Sequence, residues 1–253
     1  MDKESIVLKH ITKTYTTQGT DVVIDHAQRP TRTRTVLRDL NLTIPVGKLT
    51  VIVGRSGCGK STLLRLLNGQ VEPDSGEICL RDGWYTALLS PDPYVITWTS
   101  VLRNVALAAG AGRTPEERME LAQRLVHMVR LDEYADLTPA ELSTGMKQRL
   151  GLARVLASQA QLLLMDEPFA SLDFITREEL QNELLSIQEA MPRTVVLVTH
   201  QLDEALLLGQ RIVVMHSDSS LREFNLESLP YPRDLDMPLL RDLKREITEE
   251  CRK

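Results

Sequence analysis

Apolar residues in this chain come in short runs set between stretches of helical periodicity. Residues 50–53 (TVIV) predict a buried strand that ends at Gly54, and 60–68 then predicts a helix with Gly69 as its stop. Residues 161–165, 195–199 and 211–215 predict further buried strands. Between them, 174–190 carries Leu180, Leu184 and Ile187 at helical spacing, a face suited to pack on a sheet. Short strands alternating with helices indicate an α/β fold around a largely parallel sheet.

The middle of the chain has another pattern. From about 91 to 156 it reads as helical with no convincing strand. Thr114 and Pro115 form an N-cap and first-turn pair, followed by Glu116 and Glu117 where the helix dipole favours anions. Met119, Ala122, Leu125, Val126 and Val129 then make one apolar stripe, as expected of a helical subdomain inserted into the core. The N-terminal part to about Thr35 predicts strands joined by a long polar connection. Its Arg29, Arg32, Arg34 and Arg38 read as a solvated hairpin rather than a phosphate contact. After Ser217 the chain turns polar, with Pro230, Pro232 and Pro238, which predicts a peripheral appendage with a short helix over 239–250. No period of about 20–50 residues repeats, against a solenoid or propeller.

Composition narrows the function classes. At 253 residues, 42% hydrophobic and 26% charged, the chain has ordinary globular proportions, which excludes collagen-like, disordered and disulfide-scaffold readings. A net charge of -5 with 4% aromatics argues against a nonspecific nucleic-acid binder. The apolar runs are far shorter than the roughly 20 residues of a membrane span. The opening MDKESIVLKH has no apolar core of a secretory signal. Cys58, Cys79 and Cys251 lack metal-ligand spacing, and a reducing, cytosolic compartment is expected.

The candidate chemistry begins at Gly54-Arg55-Ser56-Gly57-Cys58-Gly59-Lys60-Ser61, which matches the phosphate-loop pattern G-x-x-x-x-G-K-[ST] between a predicted strand and a predicted helix. Its glycines let the backbone curl so that N–H groups meet phosphate oxygens at a helix N-terminus. Lys60 would face the β- and γ-phosphates, the Ser61 hydroxyl could ligate Mg²⁺, and Thr62 follows on the helix. Cys58 reads as a small filler. About a hundred residues on, the apolar strand 162–165 ends in Asp166 and Glu167. That strand can set Asp166 beside the metal and Glu167 as general base toward water, at the sheet's C-terminal edge.

Together these pieces resemble the ATPase subunit of an ABC transporter, over nearly all of residues 4–216. Leu142-Ser143-Thr144-Gly145-Met146 resembles the family signature, with Thr144 in place of a glycine. Ser171-Leu172-Asp173 resembles the D-loop, His200 the switch histidine, and Tyr15 stands where the family stacks an aromatic on adenine. The resemblance implies a single cassette with a P-loop NTPase, RecA-like α/β core, an antiparallel β region and an inserted helical subdomain. The core would span about 1–90 and 157–216, the helical subdomain 91–156 and the appendage 217–253. It implies ATP and Mg²⁺ as ligands, with Lys60, Glu167 and His200 catalytic. Ser143, Gly145 and Asp173 would act across a dimer of like or unlike cassettes. It further implies a transmembrane permease, a solute-binding protein met indirectly, no nucleic acid, and a peripheral place on the cytoplasmic side of the inner membrane.

Within the family, 146–149, 166–177 and 200–208, with Trp98, Asn104 and 231–234, look most similar to the nitrate, sulfonate and taurine importers. A soluble ABC ATPase without a permease is the alternative, as is a regulatory cassette impaired in hydrolysis. One departure stands out. The family's glutamine before the helical subdomain falls at Pro91, or at Ser90 one residue away. Proline offers no side-chain ligand and fixes φ, so water, or Asp92, would take that place and hydrolysis would be slow.

Overall fold

The computed structural model describes residues 5–18, 31–110, 112–170 and 172–253. Its central sheet has six strands in the order β5-β6-β7-β3-β8-β9. β3 (Leu49–Val53), β5 (Thr86–Leu89), β6 (Leu162–Asp166), β7 (Thr194–Val198) and β8 (Arg211–Met215) run parallel, and β9 (Leu221–Asn225) closes the edge antiparallel. Every residue of β3, β6 and β7 is buried. Such strands are covered on both faces, which is why they appear in the sequence as unbroken apolar runs.

Alternate side chains divide between two cores. Leu49, Val51, Leu163, Met165, Val195 and Leu197 face one, which also takes the helical stripes. Ile52, Leu162, Leu164, Val196 and Val198 face the other, with α1 (Lys60–Leu67). Each such side chain fully buried stabilises the fold by about 1.5–3 kcal/mol. The second core is closed by a three-stranded antiparallel sheet, order β2-β1-β4, made of β1 (Ser5–Gln18), β2 (Thr31–Pro45) and β4 (Ser75–Cys79). On the first face lie α2 (Val101–Ala108), α3 (Pro115–Met128), α4 (Thr144–Ala157), α5 (Phe174–Ala190) and α6 (Leu202–Leu208). α2, α3 and α4 pack on one another, and Thr114 starts α3 with a complete capping box. Among the described residues no helix is long and apolar enough to cross a membrane.

Two expectations need correction. Residues 217–253 are not a peripheral appendage. β9 joins the main sheet, and α7 (Pro238–Arg252) buries Leu240 and Ile247 in the first core. Buried Arg233 donates to the carbonyls of Leu206, Gly209, Leu226 and Leu229, tying the tail to α6. Pro230 and Pro232 sit in a connection and Pro238 opens α7, where its missing N–H costs nothing, so none interrupts this packing. The N-terminal strands also run on to Pro45, past the expected limit near Thr35. β4, β5 and β9 have mixed burial and no unbroken apolar run, so periodicity did not reveal them.

Candidate functional site

The C-terminal ends of three adjacent strands, β3, β7 and β6, form the site. Ile52, Val198 and Asp166 lie level across them, and strands pack about 4.8 Å apart. The loop after β3, the segment after β7 and the end of β6 therefore converge within about 10 Å.

The loop 54–59 turns from β3 into α1. Gly59 is the N-cap of α1 at φ +113°, and a Cβ there would stand 2.6 Å from Leu37. Any side chain would be both strained and without room. Lys60 is buried and folds back, its Nζ donating to the carbonyls of Gly54 at 2.7 Å and Arg55 at 3.0 Å. Arg55, Ser56 and Gly57 are exposed, whereas Cys58 is buried with its Sγ 3.9 Å from Lys60 Nζ. The loop thus holds a cation against two carbonyl oxygens and a thiol, with no carboxylate bonded to it. Arg34 is exposed, as in a solvated hairpin, and its guanidinium also donates to the Gly57 carbonyl at 3.1 Å. Strand β2 passes over the loop, a tertiary neighbour that local sequence does not announce. Arg29, the Arg32 side chain and Ser171 lie outside the described residues.

Asp166 has the parity of Leu162 and Leu164, which face α1, and it lines the same space as Ser61 at the start of that helix. Burial pushes the Asp166 carboxyl up, and Glu167 adds to this, while Ser61, Lys60 and Arg65 draw it down. Thr62 is buried one residue further along α1.

Glu167 sits at φ +51°, an uncommon conformation for a side chain of its size, fixed by its N–H donating to the Val198 carbonyl at 2.9 Å. Its Oε1 lies 2.9 Å from His200 Nδ1, and its Oε2 lies 3.4 Å from the Thr199 hydroxyl. The shorter partner of that hydroxyl is buried Glu204, at 2.7 Å. Burial raises the Glu204 carboxyl, with Thr199 and Arg177 opposing. Arg177 stands 3.8 Å from Glu204 and also donates to Gln201 and to the Leu172 carbonyl. Arg177 and Glu204 carried no site expectation. They are 27 residues from one another in sequence, and only the fold brings them behind Glu167.

A cavity of about 580 Å³ opens on these groups, lined by Tyr15, Arg34, Ser56, Lys60, Asp166 and Glu167 among others. It continues into a second space of about 810 Å³ that shares Tyr15, Ser61, Arg65, Pro91 and Asp166. The Tyr15 hydroxyl is buried with no partner among the described residues. Pro91 is exposed at the end of β5, and the Ser90 hydroxyl donates to the Asp92 carbonyl at 2.5 Å. Pro93 packs on α4 at Gly151, where a Cβ would come within 2.5 Å of it. The cations suit a multiply charged anion, and a carboxylate paired with a hydroxyl suits a divalent ion.

Ser143, Gly145 and Asp173 do not line this cavity. Ser143 caps α4, accepting from the Met146 N–H at 3.3 Å. Thr144 is the first helical residue and is absent from the positive-φ set, so the glycine it replaces is not needed for backbone shape here. Asp173 caps α5 through the Thr176 N–H, a bond that lowers its carboxyl.

Comparison with known proteins agrees with this geometry. The family model described as ABC transporter matches residues 37–170. The chain is 39% identical over 207 residues to the nitrate import ATP-binding protein NrtD of Synechococcus elongatus, covering 78% of this chain and 75% of that protein. It is 38% identical over 214 residues to the bicarbonate transport ATP-binding protein CmpD of Synechocystis sp., covering 80% and 76%. To the taurine import ATP-binding protein TauB of Pseudomonas aeruginosa it is 42% identical over 191 residues, 72% of each chain. Among solved structures, a dimeric ATP-binding cassette in a post-hydrolysis state bound to ADP and Pi superposes with a TM-score of 0.73 at 30% identity, covering 87% of this chain and 98% of that one.

Proposed function

The chain belongs to the ABC transporter family and is an ATP-hydrolysing cassette; from that premise we propose that it powers an importer of a small anion, in the class of nitrate, bicarbonate or taurine. The observation that carries the reading is the convergence of Lys60, Ser61, Asp166 and Glu167 on one cavity, with His200 held against Glu167.

In this reading Lys60 exchanges its two loop carbonyls for phosphate oxygens, and Arg34 and the loop N–H groups bind beside it. Tyr15 stacks on the adenine. Ser61 and Asp166 would hold Mg²⁺, which neutralises charge on the transferred phosphoryl group. Such an ion would take its remaining ligands from phosphate and water, as Mg²⁺ commonly does. Glu167 accepts the proton of the attacking water, and His200 holds its other oxygen in place. Pro91 supplies no ligand toward the metal, so hydrolysis is slow.

A second cassette completes the site. Ser143 and Gly145, at the N-terminus of α4, meet the phosphates bound by the opposite subunit, and Asp173 lies on the same interface. The dimeric neighbour supports this reading. The core spans about 1–90 and 157–216 and the helical subdomain 91–156, with the tail absorbed into the core. A permease docks near Tyr94, 78% exposed at the rim of the second space. A solute-binding protein is met only through that permease, and the cassette sits on the cytoplasmic face of the membrane.

The test is reconstitution with a candidate permease from the same genome in proteoliposomes, followed by ATP-driven uptake of labelled nitrate, bicarbonate and taurine. Uptake of one of them, lost with Lys60→Ala, is expected. ATP hydrolysis with no membrane association in any pairing would overturn the importer reading and favour a cassette that works without a permease.

A further inference from the structure

The parallel strands have a second end. Opposite the nucleotide cavity, where β6 and β7 begin, lies a separate pocket of about 430 Å³. Arg113 and Arg193 line it, with Trp84, Gln159, Met191 and Thr194 among the other walls. Its lining contains no Asp or Glu, in a chain that has 35 of them and a charge of -5.

The fold holds both arginines in place. Arg113 donates through one amine to the Ala109 carbonyl at 2.8 Å, at the C-terminus of α2. Arg193 donates through one amine to the carbonyls of Leu156 and Ser158, at 3.3 and 3.0 Å, where α4 ends. A guanidinium has five N–H donors in a planar fork. Two helix C-termini therefore anchor one arm of each, and neither forms an ion pair among the described residues. Burial, and secondarily the like charge of Arg113, lowers Arg193 from its ordinary range. Two cations kept close without a carboxylate repel one another, and an anion between them reverses the sign of that energy.

We propose that this pocket binds a small tetrahedral oxyanion of the sulfate or phosphate class, gripped by the free arms of Arg113 and Arg193, at a site distinct from the nucleotide cavity. Fork-to-oxyanion bonding is the geometry guanidinium groups favour. Gln159 and Trp84 also line the pocket.

Trp84 supplies the readout. The chain has two tryptophans, and the other, Trp98, is 84% exposed. In a Trp98→Phe background the emission of Trp84 is titrated with sodium sulfate and sodium phosphate, with saturating MgADP in the nucleotide cavity. Sodium acetate and sodium chloride at matched ionic strength are the other two arms. We expect a saturating response to sulfate and phosphate, weakened about ten-fold by Arg113→Gln, as the loss of one charge-assisted contact implies. It should persist with Lys60→Ala, which separates it from the nucleotide reading. Unchanged MgADP affinity in Arg113→Gln shows that the variant is folded. A response that chloride reproduces, or one equal in Arg113→Gln, would overturn the site. Saturation by acetate alone would overturn the tetrahedral class.

Discussion

At the scale of single residues, Glu167 and Pro91 carry the sharpest consequences. Glu167→Gln keeps the phosphate cradle and removes the proton acceptor, so hydrolysis should fall by about 10²–10⁴-fold. The variant should elute as an ATP-bound dimer in gel filtration with MgATP, while Lys60→Ala should lose nucleotide affinity. A Glu167→Gln chain that stays monomeric at saturating ATP would count against a homodimeric sandwich. Pro91 lines the cavity but cannot ligate, and its neighbour Pro93 is wedged on Gly151. With the permease present, Pro91→Gln should raise turnover and Asp92→Asn should change it little. Wild-type turnover already within roughly 1–100 s⁻¹, and unchanged in both variants, would show that this loop does not limit hydrolysis.

At the scale of elements, one side-chain chain links the start of α5 to the end of β6. Arg177 holds the Leu172 carbonyl and faces Glu204; Glu204 takes the Thr199 hydroxyl, which also touches Glu167. Burial raises the Glu204 carboxyl above its usual 4.5. An acid raised in the fold favours the protonated state there. Stability is therefore lost as pH climbs from the ordinary value through the raised one, and the deficit persists above it. Glu204→Gln removes that deficit. Its melting temperature relative to wild type should gain about 2–4 °C more near pH 7.5 than near pH 4.5. An offset that does not change with pH would mean that desolvation is not the governing cost.

For the whole molecule, the exposed groups outline an assembly. Ser143 lies on the surface, away from the cavity. Phe174 and Ile175, 75% and 67% exposed, follow Asp173 at the start of α5. Apolar side chains so placed suit a surface that becomes covered. Replacing Ser143 by Arg should leave MgATP affinity of the single chain unchanged and prevent dimer formation in the Glu167→Gln background. Calorimetry together with gel filtration reads both quantities, and an intact dimer in the double variant would remove Ser143 from the interface.

How much of this was legible beforehand follows from the range of the forces involved. Strands buried on both faces must be apolar throughout, so β3, β6, β7 and β8 announced themselves as runs. The phosphate loop is equally local, because its glycines answer to backbone geometry within eight consecutive residues. Half-exposed strands such as β4 and β9 follow no such rule, and only pairing with β1 and β8 defined them. The tail looked peripheral from its prolines and charges, yet Leu240, Ile247 and Arg233 found partners on α6, β8 and the loops nearby. Arg34 over the loop, the Arg177–Glu204 pair and the pocket shared by Arg113 and Arg193 all join distant segments. Charged side chains have no periodicity to betray their partners. Local sequence determined which elements form and where the phosphate loop lies, and tertiary packing alone decided which charges meet.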